Sequence, residues 1–540
     1  VLASWRHPAR EVWRHLWHTQ LAELIGNTLL LAAAVGLGTL VVGAGLAWLV
    51  VAHEFPGRRV FEWALVLPLA MPAYVIGFAF LALFDFAGPV QTSLRRLLGP
   101  GAGLPDLRAG WGVALMMTLV FYPYVYVLAR VAFREHGRAA LEVARSLGHS
   151  PRAAFLRVIL PLARPALAAG AALAMMEALA DFGTVSIFGV RTLSEAVYRV
   201  WTGMFDRAAA TQVASLLLTL VLGLLVLERM LRGRRRFTGA ARAAGLPRRT
   251  LAGWRAAGAS AACGVVLALA FVLPVVELIV WALELPAAER ARRGFAGLVG
   301  STFALAAASA VLVGALALVL AYARRLRPSP IASAAAQFAS MGYALPGAVI
   351  AVGVLAPVAW LDRALATAAE TALGWRLDLV LTGSAAAVLF AYAVRFLAVG
   401  YQTTEAALAR IPPSLDEAAR SLGVTMRAAL RRVHLPLMRG GILSALTLIW
   451  VETIKELPAT LLLRPLGLKT LAIEVWERTS ESLWAEAALP ALAIVAVGLV
   501  PLVVGSRLDA GAPRRATPPP GRGRAPGAVE GHVGARHDDG

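Results

Sequence analysis

Cysteine and lysine are almost missing from this chain. Its 540 residues include one cysteine, Cys263, which excludes an intrachain disulfide or a thiolate metal site. Only two lysines occur, Lys455 and Lys469, and neither follows a glycine. The phosphate loop that ends in Gly-Lys-Ser/Thr is therefore absent. No Ser/His/Asp or Cys/His set suggests nucleophilic catalysis. Acidic residues are scarce as well: 32 Asp and Glu stand against 52 Lys and Arg, a formal net charge of +20. In a soluble protein that excess would point to nucleic acid. Here no basic domain outside the apolar runs is large enough to fold, and nucleic-acid binding falls away.

What is abundant is apolar sequence. Hydrophobic residues make up 59% of the chain, with a mean hydropathy of +0.69, far above a soluble protein of this size. Runs long enough to cross a bilayer recur throughout. They fall at 27–52, 62–86, 110–133, 165–182, 208–228, 256–282, 300–322, 331–360, 380–402, 440–458 and 486–505, eleven in all. Arginine clusters separate them at Arg58–Arg59, in 133–165, in the linker 229–255, at Arg324–Arg325, in 403–439 and after Arg507. Alternate threading puts every one of these on the same side, and that side is the cytoplasm. Opposite loops hold arginine more sparsely, at Arg95, Arg96 and Arg191.

This threading places residue 1 outside the cytoplasm, without the preceding span that the second half has at 256–282. The expectation is that a first helix is missing and that the complete protein has twelve spans, six per half. The expected divisions are a first half at 1–228, a cytoplasmic basic linker at 229–255, a second half at 256–508 and a disordered Pro/Gly/Arg tail at 509–540.

The chain repeats itself. Glu142-Val-Ala-Arg-Ser-Leu-Gly148 matches Glu417-Ala-Ala-Arg-Ser-Leu-Gly423 at an offset of 275. Leu160-Pro161-Leu162 matches Leu435-Pro436-Leu437, and Glu177 matches Glu452, at the same offset. Thr28 matches Thr302 at 274, and Thr192-Leu193 matches Thr470-Leu471 at 278. Both copies of the loop fall on the cytoplasmic side, so the repeat is parallel. It implies a pseudo-two-fold axis along the membrane normal and a pathway between the halves.

Each repeated loop favours helix through Glu, Ala, Arg and Leu, and ends or bends at Gly148 or Gly423. Pro161 and Pro436 are expected to break the chain before the next span. The product is a short helix–turn–helix on the cytoplasmic face. Its apolar face (Ala144 and Leu147, or Ala419 and Leu422) would dock in a partner's groove, with Glu and Arg pairing at the rim.

This arrangement closely resembles the EAA loop of binding-protein-dependent ABC importer permeases of the type I, MetI-like class. The resemblance implies an all-α integral membrane fold of two parallel MetI-like bundles, fused in one chain in the cell inner membrane. It implies that the loop sits in a cleft of a separate ATPase subunit, present in two copies, and that a periplasmic binding protein delivers the cargo. Glu142, Ala144, Arg145, Gly148, Glu417, Ala418, Ala419, Arg420 and Gly423 would then couple the permease to the ATPase. The chain itself would bind no cofactor and hydrolyse nothing, with ATP used by the partner. The first copy departs from the pattern at Val143, where the second has Ala418.

Two stretches, Glu177-Ala-Leu-Ala-Asp-Phe-Gly-Thr-Val-Ser186 and Glu452-Thr-Ile-Lys-Glu-Leu-Pro-Ala-Thr460, are similar to the fused ferric iron permeases. That similarity implies Fe(III) as cargo. Glu177 and Asp181 are four residues apart on one span, as are Glu452 and Glu456 on another, so each pair is expected to share a helix face. Four carboxylates near the axis would suit a hard cation. A mid-bilayer charge costs about 2.5–3.5 kcal/mol on insertion scales, which marks intramembrane acids as functional candidates. The rival role for them is structural or gating, with Lys455 neutralising Glu452 or Glu456. His15 and His18 share a face beside Trp13 and Trp17 and fit an interfacial segment better than a metal site. Thiamine or another small solute is the alternative cargo. A secondary transporter is the alternative class, although it has no need of matched docking loops.

Overall fold

The computed structural model describes all residues except 7–8, 147–149, 233–247, 287–293, 327–328, 377–379 and 512–540, and leaves out the side chains of 2–3, 136–145, 151–152, 232, 373 and 503–511. Most of the basic linker and nearly all of the expected tail therefore lie outside the described residues. Among the described residues, eleven helices are long and apolar enough to cross a membrane, from Leu21–Ala52 to Trp484–Leu502. Nine follow the expected runs to within a turn or two at each end, or extend them into the flanking loops.

The second and eighth runs differ. Residues 62–86 are not one helix. A short helix Arg58–Ala64 and a 3-10 turn Leu67–Ala70 precede an extended Met71, and a new helix starts at Ala73. In the second half, Pro330–Met341 and a 3-10 turn Gly342–Ala344 precede an extended Leu345, and the helix restarts at Gly347. The physical reason is the same twice. Pro72 and Pro346 push the residue before them out of the helical region. Each break leaves irregular backbone at the centre of the bundle, where protein covers it rather than lipid.

The repeat is visible in the element bounds. Leu21–Ala52 and Phe295–Leu326 correspond residue for residue, as do Leu160–Ala180 and Leu435–Lys455. A π-helical turn precedes each of the latter, at Phe155–Ile159 and Leu430–His434. Pro161 and Pro436 thus do not break the chain as expected. The extra residue of the π-turn relieves the clash of each proline ring with the preceding turn, and the helix runs on. Even side-chain contacts recur: Leu193 N–H donates to Thr28 Oγ1, and Leu471 N–H to Thr302 Oγ1, each at 2.9 Å.

The halves are not separate bodies. The sixth span, built from Gly253–Leu267, a π-turn and Leu273–Glu284, packs mainly on the first half and on the last span. Its Ala259, Cys263, Ala270 and Leu278 are buried in one core with Val50, Phe78 and Tyr122. The Phe78 ring stacks on both Trp281 and Trp484 at 6.0 Å. His53–Glu54 also pairs in parallel with Arg249–Thr250, tying the linker's end to the first half.

Candidate functional site: a central cavity and two cytoplasmic loops

All four carboxylates singled out by the sequence line one cavity of about 120 Å³. The walls come from both halves. They comprise the broken segment Leu69–Tyr74, Phe121 and Tyr124, the end of Leu160–Ala180, Arg395, and the end of Leu435–Lys455. A larger cavity of about 720 Å³ shares Glu177, Ala180 and Arg395 and continues to Glu228, Arg229, Gln402 and Thr403 on the cytoplasmic side. Glu177 and Arg395 therefore stand where the two spaces meet.

The expected shared helix face is interrupted. Helix Leu160–Ala180 stops one residue short of Asp181, and Leu435–Lys455 one short of Glu456. Each freed carboxylate caps the short helix that follows. Asp181 accepts from Thr184 N–H at 2.8 Å and from its hydroxyl at 2.6 Å, and Glu456 accepts from Ala459 N–H at 3.1 Å. Capping offsets the unpaired amides of a helix start that would otherwise be buried.

Two cations answer two of the acids. Arg395 Nε lies 3.0 Å from Glu456 Oε2, with both side chains nearly buried, and Lys455 Nζ lies 2.8 Å from Glu452 Oε1. Glu177 stands beside Tyr124 and Tyr343. No three acids, histidines or cysteines converge as a cation cage among the described residues. The cavity is a set of paired charges with an excess of two carboxylates over Arg395 and Lys455. Tyr74 adds a buried hydroxyl that makes no hydrogen bond among the described residues. His15 and His18 are far simpler: both are exposed on the helix Arg10–Thr19.

The second repeated loop forms the helix Pro413–Ser421, set off from the preceding span by Pro412 and Pro413. It closes with a left-handed Gly423 at φ 71°. Val424 N–H donates to Ala419 O at 2.9 Å and Gly423 N–H to Arg420 O at 3.0 Å, the paired bonds that glycine permits at a helix end. Glu417, Ala418, Arg420 and Leu422 are exposed. Ala419 does not join the outward face expected for it. It is buried against this chain, whereas Leu422 is 81% exposed.

What fixes this loop went unseen in the sequence. Asp416 Oδ2 lies 2.8 Å from Arg325 Nε, and Asp416 Oδ1 lies 2.7 Å from His434 Nε2. Arg325 also donates to the carbonyls of Leu408 and Ile411 at 2.7 and 3.1 Å. One carboxylate thus ties the loop to the spans on either side. Arg325 looked only like a topology signal, and nothing in the sequence marked Asp416, directly before the motif.

The first loop is built differently. No proline interrupts it, and the helix Gly110–Ser146 carries on into the motif as far as Ser146. Glu142, Ala144 and Arg145 are on that helix, their side chains outside the described residues, and Gly148 lies outside them altogether. At the positions matching Asp416, Arg325 and His434 the first half has Leu141, Val51 and Ile159. Its charged contacts sit elsewhere, around Glu62. Burial alone would raise that carboxyl, but Arg134 and Arg58 beside it hold it below the usual carboxylate range.

The sequence profile of the family described as "Binding-protein-dependent transport system inner membrane component" matches residues 23–234 and 310–515, once in each half. The chain belongs to this family. It is a multi-pass inner-membrane permease subunit of the MetI-like kind, and the secondary-transporter alternative falls. The Fe(3+)-transport system permease protein FbpB 2 of Haemophilus influenzae is 26% identical over 491 residues, 90% of each chain. The sulfate transport system permease protein CysT of Escherichia coli is 28% identical over 40% of this chain and 78% of its own. A putative 2-aminoethylphosphonate transport system permease protein, PhnU of Salmonella typhimurium, is 31% identical over 38% of this chain and 73% of its own.

Proposed function

We propose that this permease carries Fe(III) released by a periplasmic binding protein, with a separate ATPase dimer supplying the energy through the loops at 142–148 and 417–423. The similarity to a ferric permease along 90% of both chains carries the iron reading. The excess of carboxylates over cations in the central cavity favours a cationic, oxygen-seeking cargo. Movement of the two loops with the ATPase would rock the halves about the central axis. Glu177 and Arg395, at the junction of the upper and cytoplasmic cavities, are proposed to lie on the path.

A second reading, an oxyanion cargo, has its own support. Arg395 and Lys455 line the same cavity, and the sulfate and 2-aminoethylphosphonate permeases are similar to single halves of this chain. The two readings separate in one assay. The permease, its ATPase and its binding protein are reconstituted, and ATPase stimulation is measured with the binding protein loaded with Fe(III), sulfate or thiamine. Stimulation by the Fe(III)-loaded protein alone is expected. Stimulation by sulfate and not by iron would transfer the assignment to the oxyanion.

A further inference from the structure

A groove on the cytoplasmic side, which meets the 720 Å³ cavity at Gln402 and Thr403, lies between the helix Arg58–Ala64 of the first half and the helix Leu435–Lys455 of the second. Its volume is about 1580 Å³, larger than the 300–1,000 Å³ usual for a small-solute pocket. Arg59, Arg130 and Arg410 line it, and among the described residues no Asp or Glu does. The remaining wall is largely apolar, including Leu67, Leu437 and Leu502.

The charge is uncompensated. Arg59 and Arg410 are exposed and make no ion pair among the described residues. Arg130 reaches Glu62, but that carboxylate is already shared with Arg58 and Arg134. Arg130 also lies over the Trp63 ring, 5.2 Å from its centroid, and Trp63 is part-exposed at the rim. Val60 and Leu437, 67% and 60% exposed, continue the apolar edge outward. The neighbouring 720 Å³ cavity differs, since it mixes Glu177 and Glu228 with Arg229 and Arg395.

We infer that this groove holds one anionic phospholipid of the cytoplasmic leaflet, its phosphate between Arg59 and Arg410 and its acyl chains along Leu67, Leu437 and Leu502. Basic pockets between spans on this side are suited to acidic headgroups, and an exposed apolar edge suits acyl chains rather than a soluble anion.

The test uses the full-length permease in its ATPase complex, in nanodiscs that carry photoactivatable phosphatidylglycerol or phosphatidylcholine. Labelling of the groove segments by phosphatidylglycerol is expected to fall about thirtyfold in the Arg59→Gln/Arg410→Gln double variant, two arginine charges being lost. Arg59→Lys/Arg410→Lys should retain most of the label, which separates loss of charge from misfolding. Equal labelling by the two lipids would make the groove an apolar lipid contact and overturn the inference. So would undiminished phosphatidylglycerol labelling of the glutamine variant. Undiminished labelling of that variant together with impaired cargo uptake in proteoliposomes would assign the arginines to cargo exit instead.

Discussion

Replacing Asp416 with leucine should detach the second cytoplasmic loop, and the internal repeat supplies the repair. The carboxylate lies 2.8 Å from Arg325 and 2.7 Å from His434, with side chains 15%, 14% and 1% exposed. Removing one partner of a buried pair costs about 3–5 kcal/mol. Arg325 keeps its two carbonyl bonds and some contact with solvent, which reduces the loss to about 2–3 kcal/mol. If the loss falls on local opening, the open population rises about 30- to 150-fold. Limited proteolysis of 410–430 in the assembled permease should accelerate by that factor when opening is fast relative to cleavage. The triple variant Asp416→Leu/Arg325→Val/His434→Ile copies the first half's residues and leaves no buried charge unpaired. It should return proteolysis close to the parent rate, because apolar replacement of a whole buried ionic set is often neutral. A single variant as resistant as the parent, or a triple variant more labile than the single, would refute this account of the anchor.

Arg395→Met should destabilise the permease by about 3–5 kcal/mol by stranding Glu456, and Arg395→Met/Glu456→Met should recover most of it, as thermal unfolding in detergent would show. Tyr74→Phe removes a buried hydroxyl with no partner, so stability should stay level or rise, while cargo uptake falls if the hydroxyl meets the cargo; unchanged uptake would remove Tyr74 from the path. On the outer face, burial acts to raise Glu477, but Arg464 and Lys469 prevail and hold it below its ordinary value. Its folded-state value is depressed, so its stabilising share is present at neutral pH, above the ordinary glutamate value, and is lost as pH falls through the lowered one. Between pH 7 and 5, melting of the parent and of Glu477→Gln should therefore differ by a constant amount.

The parts of this structure legible in the sequence were those written as long or repeated patterns. Eleven apolar runs, one-sided arginine and two copies of the Glu-x-Ala-Arg-Ser-Leu-Gly stretch led to a doubled membrane bundle. The gathering of Glu177, Asp181, Glu452 and Glu456 in one cavity followed from the same repeat. The helix breaks were missed because Pro72 and Pro346 sit inside apolar runs, where hydropathy outweighs backbone geometry, although their match at an offset of 274 was there to be read. Arg395, Asp416 and His434 were missed for another reason. Their partners lie up to 91 residues away in sequence, and one half carries the charged set while the other has apolar residues. A search for likeness between halves passes over what differs between them. The helix boundary at Asp181 was also hidden, since a capping carboxylate and a helical one look alike until the following helix is placed.

The most direct test of the whole account is radiolabelled Fe(III) uptake in cells that lack their own ferric transporter and express this permease with its ATPase and binding protein. ATP-dependent uptake that is lost in Glu142→Ala/Glu417→Ala, with membrane insertion intact, is the predicted result. Uptake unaffected by that double variant would contradict coupling through the two loops. No iron uptake by a correctly inserted complex that carries another solute would contradict the iron assignment.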